Sequence, residues 1–355
     1  MIRTLFGLER LSRLWRELTG RLDGVALSQN DLKDQLDAVA ASTRANVDRL
    51  DHLSRQVDVL QRESRVLLSQ LTLPPTALWL GRPAAHPGDP ASAAFPCSTL
   101  CRQESFDQPW FSHWARRLAQ PLRYHRKLWE HVFICQALWE RGSLRPGACG
   151  LGFGVGREPL TALFAAEGCR VLATDMAATE AAALGWSQTA QHAWGLETLR
   201  HDAICSPKTF AAKVTFRECD MNAVPDDLRD FDFCWSACAL EHLGSIARGV
   251  DFIEAALDCL RPGGWAVHTT EYNVSSNDHT VETGGTVLFR QRDLEAMAER
   301  LTARGHKVAT FDLEPGLAPM DRYVDVAPYR VEPHLKLAVE GYAVTSVGLI
   351  VQRGL

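Results

Sequence analysis

Between Cys149 and Gly156 the chain reads Cys-Gly-Leu-Gly-Phe-Gly-Val-Gly, a short apolar run that becomes a turn with glycine at alternate positions. Few folds use such a segment. The apolar run is too short for a helix and reads as a buried strand, and the glycines let the backbone turn sharply and approach a ligand closely. A helix over residues 157–167 and a second strand over residues 170–175 follow, the strand ending on Asp175. Strand, glycine turn, helix, strand and terminal acid together make a unit that binds a nucleoside-containing cofactor, with the carboxylate at the ribose hydroxyls. The dinucleotide fingerprint GxGxxG/A fails in every frame, because its third position falls on Val155, Arg157 or Pro159. The turn is GxGxG, at Gly152, Gly154 and Gly156.

Downstream, strand and helix patterns alternate, as in parallel βαβ units. A third strand is expected over residues 214–218, leading to Asp220 and Met221, and a fourth over residues 231–236, ending on Ser236. Ala-Leu-Glu-His-Leu at residues 239–243 precedes an amphipathic helix near residues 249–260. Arg-Pro-Gly-Gly then turns into a fifth strand over residues 265–270, ending at Glu271.

In this order the motifs resemble those of the class I S-adenosylmethionine-dependent methyltransferases. The resemblance is close over residues 149–270 and extends to a last strand at residues 344–351, while residues 1–96 lie outside it. It implies an α/β, Rossmann-like fold with a seven-stranded, mostly parallel sheet, and S-adenosyl-L-methionine as cofactor. Gly152, Gly154 and Gly156 would lie under the methionine portion, and Asp175, followed by Met176, would accept hydrogen bonds from the ribose. Asp220 would accept from the adenine amino group with Met221 against the ring, and Ser236 would face the cofactor. One position departs from the pattern. The family usually carries Glu or Asp two residues before the first motif glycine, and here Gly150 stands there, so another group must hold the cofactor's amino end.

The candidate catalytic residues are Glu241, His242 and Glu271. A hydroxyl acceptor needs a general base, and the imidazole of His242 has the right ordinary pKa; an amine acceptor needs mainly alignment with the electrophilic methyl. Glu-His at this point can also serve only to start the next helix, and Glu271 can be a solvated cap. The run His125-x-Lys127-Leu-Trp-Glu130 reads as a packed, polar helix ahead of the glycine turn. Residues 272–290 and 314–342 are polar, with Tyr, His, Asn and Asp, and are expected to face a hydroxyl-rich acceptor such as a surface glycan or its precursor. The expected role is then O-methylation in polysaccharide biosynthesis. Two other readings are a nicotinamide-dependent oxidoreductase, disfavoured by the failed fingerprint, and a catalytically weak scaffold, to which Gly150 is the pointer.

The N-terminal stretch obeys a different rule. Steps of three and four from Leu8 to Leu71 meet apolar residues at fifteen of nineteen positions, the exceptions being Gln29, Thr43, Asn46 and Ser64. A single register held that long marks a coiled-coil seam, since a lone surface helix drifts off a 3.5 repeat. A helix folded back on its own domain is the alternative, and a break is expected near Gly20 and Gly24. Residues 1–22 carry five Arg against two Glu and read either as the first heptads or as a helix in peripheral contact with an anionic membrane. Residues 74–96, with six prolines, read as a spacer. The chain thus divides into a helical coiled coil (1–73), a Pro-rich linker (74–96) and a catalytic domain (97–355). Self-association through the coil is the expected partnership.

Composition excludes several classes. A net charge of −5 and a pI near 6.2 do not suit a nucleic-acid binder. No run of 18 apolar residues exists, and the N-terminus lacks a signal-peptide apolar region, so a cytoplasmic protein is expected, with the inner membrane surface as the alternative for its first residues. Ten scattered cysteines suit reduced thiols. The closest pairs, Cys97/Cys101 and Cys234/Cys238, lack zinc-knuckle spacing, and no metal site is expected.

Overall fold

The computed structural model describes residues 2–71, 83–86, 88–92, 97–177 and 192–355. They fall into two compact units, Met1–Gln61 and Arg62–Leu355. Helix α1 (Ile2–Leu71) runs unbroken through Gly20 and Gly24. The expected break is absent: each glycine costs about 1 kcal/mol against alanine, less than renewed nucleation on either side of a gap. The described apolar seam side chains are exposed, from Val57 at 49% to Trp15 at 69%. No described helix is long and apolar enough to cross a membrane.

Part of the proline-rich segment is not a free spacer. Pro83 is buried, the His86 amide donates to Ser112 Oγ at 3.2 Å, and the Pro90 carbonyl, in a 3-10 turn (Pro90–Ser92), accepts from Gln136 Nε2 at 2.8 Å. Prolines lack an amide but keep their carbonyl, and that is how this stretch is tied down. Residues 72–73 of the expected coil and residues 74–82, 87 and 93–96 of the expected linker lie outside the described residues.

The second unit is an α/β domain. Its described helices are α2 (Gln103–Phe106), α3 (Pro109–Arg117), α4 (Arg126–Glu140), α5 (Leu160–Ala166), α6 (Pro207–Lys213), α7 (Ile246–Asp258), α8 (Gln291–Ala303) and α9 (Pro319–Arg322). Its strands are β1 (Ser98–Thr99), β2 (Cys149–Gly152), β3 (Arg170–Asp175), β4 (Val214–Glu218), β5 (Phe231–Ala237), β6 (Leu260–Asn273), β7 (Lys307–Val308), β8 (Phe311–Asp312), β9 (Val324–Asp325), β10 (Lys336–Val339) and β11 (Tyr342–Gln352). The main sheet runs β4–β3–β2–β5–β6–β11–β10–β9, with β7 also on β11, and β1 pairs with β8 apart from it. Strands β4 to β6 are parallel, and β11 is antiparallel to both β6 and β10. Among the described residues the main sheet has nine strands where seven were expected. The extra pair arises at Glu340-Gly341, where φ of 50° and 76° makes a two-residue hairpin that returns β10 along β11. The polar stretch 314–342 is therefore partly sheet and helix, not one substrate-facing loop.

Apolar layers cover both faces of the sheet. On one, Phe164 of α5 meets Phe233 and Trp235 of β5 edge-on at 5.5 and 4.9 Å, pairs worth about 0.5–1.5 kcal/mol each beyond their burial. On the other, Phe252, Ile253 and Leu257 of α7 pack with Leu294 and Leu301 of α8. The first layer explains Gly150. A Cβ there would stand 2.4 Å from the Phe233 ring, so the space of the absent acid is filled by an aromatic.

Candidate functional site

The parallel strands β2, β3 and β5 end together, and the glycine turn crosses their C-terminal edge. Gly154 and Gly156 have φ of 55° and 51°, a region that L side chains avoid. A Cβ on Gly154 would also stand 2.9 Å from Ala239 Cβ and 3.2 Å from Met221 Sδ. Glycine is required on both counts, and the cradle it leaves fits a ligand lying against backbone.

Asp175 closes one side of that cradle. It is 6% exposed, and its Oδ2 accepts from the amides of Gly156 and Ala193, both at 3.0 Å, while Oδ1 accepts from the Met176 amide at 2.9 Å. Burial raises this carboxyl above its ordinary value, against the pull of the Ala193 amide and of His192. Asp175 therefore fixes the glycine turn as well as offering a lone pair on Oδ1 to a ribose. Met176 is half-buried, Met221 is buried, and Asp220 is exposed with Oδ1 on the Asn222 amide at 2.8 Å. Those positions suit an adenine edge and face. Ser236 is misplaced by the sequence reading. It is fully buried, with Oγ 2.8 Å from His268 Nδ1, because alternate residues of β5 face opposite sides and Ser236 takes the side of α7. Ala237 and Cys238 occupy the strand exit instead.

Sequence reasoning missed Glu158, two residues past the last glycine of the turn. Its Oε1 accepts from Trp235 Nε1 at 2.6 Å and its Oε2 lies 3.8 Å from His131 Nε2. Burial pushes Glu158 up to about 8, against the Trp235 hydrogen bond and the charge of Lys127. The available signal was an acid in the first turn after GxGxG, in a chain with none before it.

The second half of the site is a buried polar cluster beyond β5 and β6. Glu241 lies in a 3-10 turn (Leu240–His242) and Glu271 near the end of β6, and both are buried. Thr270 Oγ1 donates to Glu241 Oε2 at 3.0 Å, and Arg126 donates to Glu271 Oε1. Glu241 Oε1 and Glu271 Oε2 have no hydrogen-bond partner. The structure thus brings two predicted carboxylates together, beside Cys238. His242 stands at the edge, Nε2 3.9 Å from Glu241 Oε1, its Nδ1 2.8 Å from the Gly285 carbonyl oxygen. Burial raises the Glu271 carboxyl and the nearby Glu241 adds to the rise, while Arg126 opposes it.

The His125–Glu130 run contributes more than packing. From α4, Arg126 reaches Glu271 and Lys127 Nζ lies 3.0 Å from Glu130 Oε2. Burial alone would raise Glu130, but Lys127 and Arg126 hold it at about 2. The stretch 272–290 is a brace, not only a surface loop: the amides of Val287 and Phe289 donate to the carbonyls of Glu241 and Glu271, both at 2.9 Å, and Val287, Leu288 and Phe289 are fully buried.

Residues 151–268 match the family model described as a methyltransferase domain. That match spans the glycine turn, Asp175, Glu241 and the approach to Glu271. Over those residues the chain carries a methyltransferase domain. No curated protein matches the sequence. Among solved structures, the chain is similar to magnesium protoporphyrin IX methyltransferase from Synechocystis PCC 6803 with bound SAH, at 12% identity over 71% of this chain and 98% of that one, with a TM-score of 0.39. It is also similar to the 1,6-didemethyltoxoflavin-N1-methyltransferase of Burkholderia thailandensis, at 18% identity over 65% and 80% of the two chains and a TM-score of 0.37. The DhpI–SAH complex aligns at 20% identity over 62% and 84%, with a TM-score of 0.35.

Proposed function

We propose that this methyltransferase methylates a hydroxyl group of a hydroxyl-rich acceptor, such as a surface glycan or its precursor. The observation that carries the reading is a pair of buried carboxylates, Glu241 and Glu271, that bring an oxygen each within 4.8 Å of one another and that each keep one oxygen, Glu241 Oε1 and Glu271 Oε2, without a hydrogen-bond partner. A hydroxyl is a weak nucleophile until its proton is taken, and an arriving O–H supplies the donor these oxygens lack. A neutral amine needs no such acceptor, and an ammonium group would meet Arg126 and Lys127. His242, partly exposed beside Glu241, passes the proton outward.

S-adenosylmethionine supplies an electrophilic sulfonium methyl. The chain's own residues position the rest. The glycine cradle and Asp175 hold the cofactor's ribose side, Met221 covers the adenine, and Glu158 accepts from the α-ammonium in place of the acid excluded by Phe233. A depression of about 700 Å³ lined by Pro121, Arg123, Tyr329, Arg330, Val331 and Glu332 opens nearby, its Tyr329 within electrostatic reach of Arg126 and Glu271. Two arginines and a tyrosine suit an acceptor that carries hydroxyls and an anionic group. The uncovered seam of α1 is proposed to pair with a second copy of the chain.

Incubation with labelled S-adenosylmethionine and fractions of glycan, lipid and protein tests the acceptor. Label in acid-stable methyl ethers of sugars is expected. Label confined to methylamines would overturn the hydroxyl reading and keep the methyltransferase.

A further inference from the structure

Cys238, Glu241 and Glu271 each bring one donor atom to a common point. Cys238 Sγ and one oxygen of each carboxylate lie within 4.8 Å of one another, and all three side chains are buried. Separate elements deliver them: the exit of β5, the 3-10 turn and the end of β6. Each carboxylate is anchored through one oxygen, by Thr270 or Arg126, and keeps the other without a hydrogen-bond partner. Carboxylates held through one oxygen by protein donors, with the other left open, match ligating carboxylates with their supporting shell.

We propose that Cys238, Glu241 and Glu271 bind a divalent cation of borderline softness, Zn²⁺ being the best match, with an open position that takes the acceptor oxygen. The donor set selects the ion. A thiolate disfavours Mg²⁺ and Ca²⁺, and two carboxylates beside it suit Zn²⁺. Three protein donors with a vacant fourth position match a catalytic rather than a structural zinc site. Charge agrees. Arg126, Lys127, Glu130, Glu241 and Glu271 together carry one negative charge, and Cys238 as thiolate makes two, which a divalent cation neutralises. A proton shared by the carboxylates would leave the thiol without a role.

The frame is rigid. Cys238 donates its amide to the Thr269 carbonyl at 2.9 Å, and the amides of Val287 and Phe289 clamp the backbones of Glu241 and Glu271. The C-x2-E pattern with a distant Glu belongs to no short zinc motif, so its spacing gave no signal. Only the sheet brings the donors together.

In its reaction role the inference rests on the hydroxyl reading, whereas metal binding itself does not. Cys238 loses its S–H proton to solvent as the sulfur–metal bond forms. The coordinated hydroxyl gives its proton to His242, and an oxygen lone pair forms the bond to the methyl carbon. The carbon–sulfur bond breaks with its electron pair left on sulfur, giving a neutral thioether.

The test uses the full chain, stripped with a chelator and titrated with Zn²⁺ against a chromophoric competitor, and separately with Co²⁺. One ion per chain is expected, with a thiolate-to-cobalt charge-transfer band in the wild type that Cys238→Ala removes. Glu271→Gln should weaken Zn²⁺ at least tenfold. Absence of stoichiometric uptake by the wild-type chain overturns the site without need of any variant, as does a cobalt band unchanged by Cys238→Ala. Equal methyl transfer to a hydroxyl by stripped and loaded protein overturns the reaction role and leaves the hydroxyl reading standing.

Discussion

Glu158 offers the sharpest test of how the cofactor is held. Its carboxyl is pushed up to about 8, first by burial. At pH 7 roughly nine tenths of such a group carries a proton. S-adenosylhomocysteine is the right probe, because it keeps the α-ammonium and lacks the sulfonium charge. Binding of the ammonium favours the ionised carboxylate, so association at pH 7 should expel close to one proton. Affinity should then rise about tenfold per pH unit up to pH 8. Glu158→Gln keeps an oxygen for Trp235 Nε1 but cannot ionise. The variant should lose the proton release and the pH slope, and should bind about 10–150-fold more weakly at pH 8, the range for a charge-assisted hydrogen bond of ~1.5–3 kcal/mol. Titration calorimetry in buffers of different ionisation enthalpy reads both quantities. Stability moves the other way. A carboxyl raised above its unfolded value favours the fold below about pH 4.5 and loses that contribution as pH rises through about 8. The ligand-free wild type should therefore weaken relative to Glu158→Gln over that window, by at most a few kcal/mol. Equal affinity and equal proton release in the two proteins would refute the assignment.

Four further outcomes follow from the geometry. Asp175→Ala should weaken S-adenosylhomocysteine by about 1–3 kcal/mol and also lower the melting temperature, since Asp175 holds the amides of Gly156 and Ala193; calorimetry and thermal melts that both match wild type would remove it from the site. His242→Ala should cut turnover about 10²–10⁴-fold with cofactor affinity intact, and turnover within a few-fold of wild type makes it only a turn residue. Gly150→Asp should not improve cofactor binding but cost at least about 1–3 kcal/mol of stability by overpacking against Phe233, a loss that Phe233→Ala partly reverses; an unchanged denaturation midpoint for the single variant contradicts the packing account. A chain beginning at Pro83 keeps the docked segment and should be monomeric by light scattering where the full chain is oligomeric, whereas equal monomeric masses end the pairing proposal for α1.

The fold was legible where periodicity and punctuation agree. Residues 149–152, 170–175 and 214–218 announce strands by short apolar runs ended by glycine or acid, and the structure places β2, β3 and β4 there. The 3.6-residue pattern of α7 was equally plain, with boundaries off by two to three residues, as expected where capping and not periodicity sets the end. What escaped was non-local. β9 and β10 exist because a two-residue hairpin at Glu340-Gly341 folds a polar segment back onto β11, and Glu340 is not a residue that advertises a positive φ. Ser236 was assigned to the cleft because the resemblance puts the end of the fourth strand at the cofactor, but the alternation along β5 turns it to the other side.

The site shows the same division. Residues in the glycine turn and at strand ends were legible because their roles need a particular residue type at a particular topological point: only glycine takes φ near +55° under a close contact, and only a short acid at the end of β3 can bridge Gly156 to Ala193. Glu158, Arg126 and Cys238 have no such local signature. Each matters through a partner far away in sequence: Trp235 for Glu158, Glu271 for Arg126 and for Cys238. Gly150 joins the two cases. It looked like a loss of function at one position, yet Phe233 fills the space that its side chain would need, and a carboxylate stands instead just ahead of α5 against Trp235, two residues along the strand from Phe233. One aromatic pair on β5 thus accounts both for the missing acid and for the place where another acid is held.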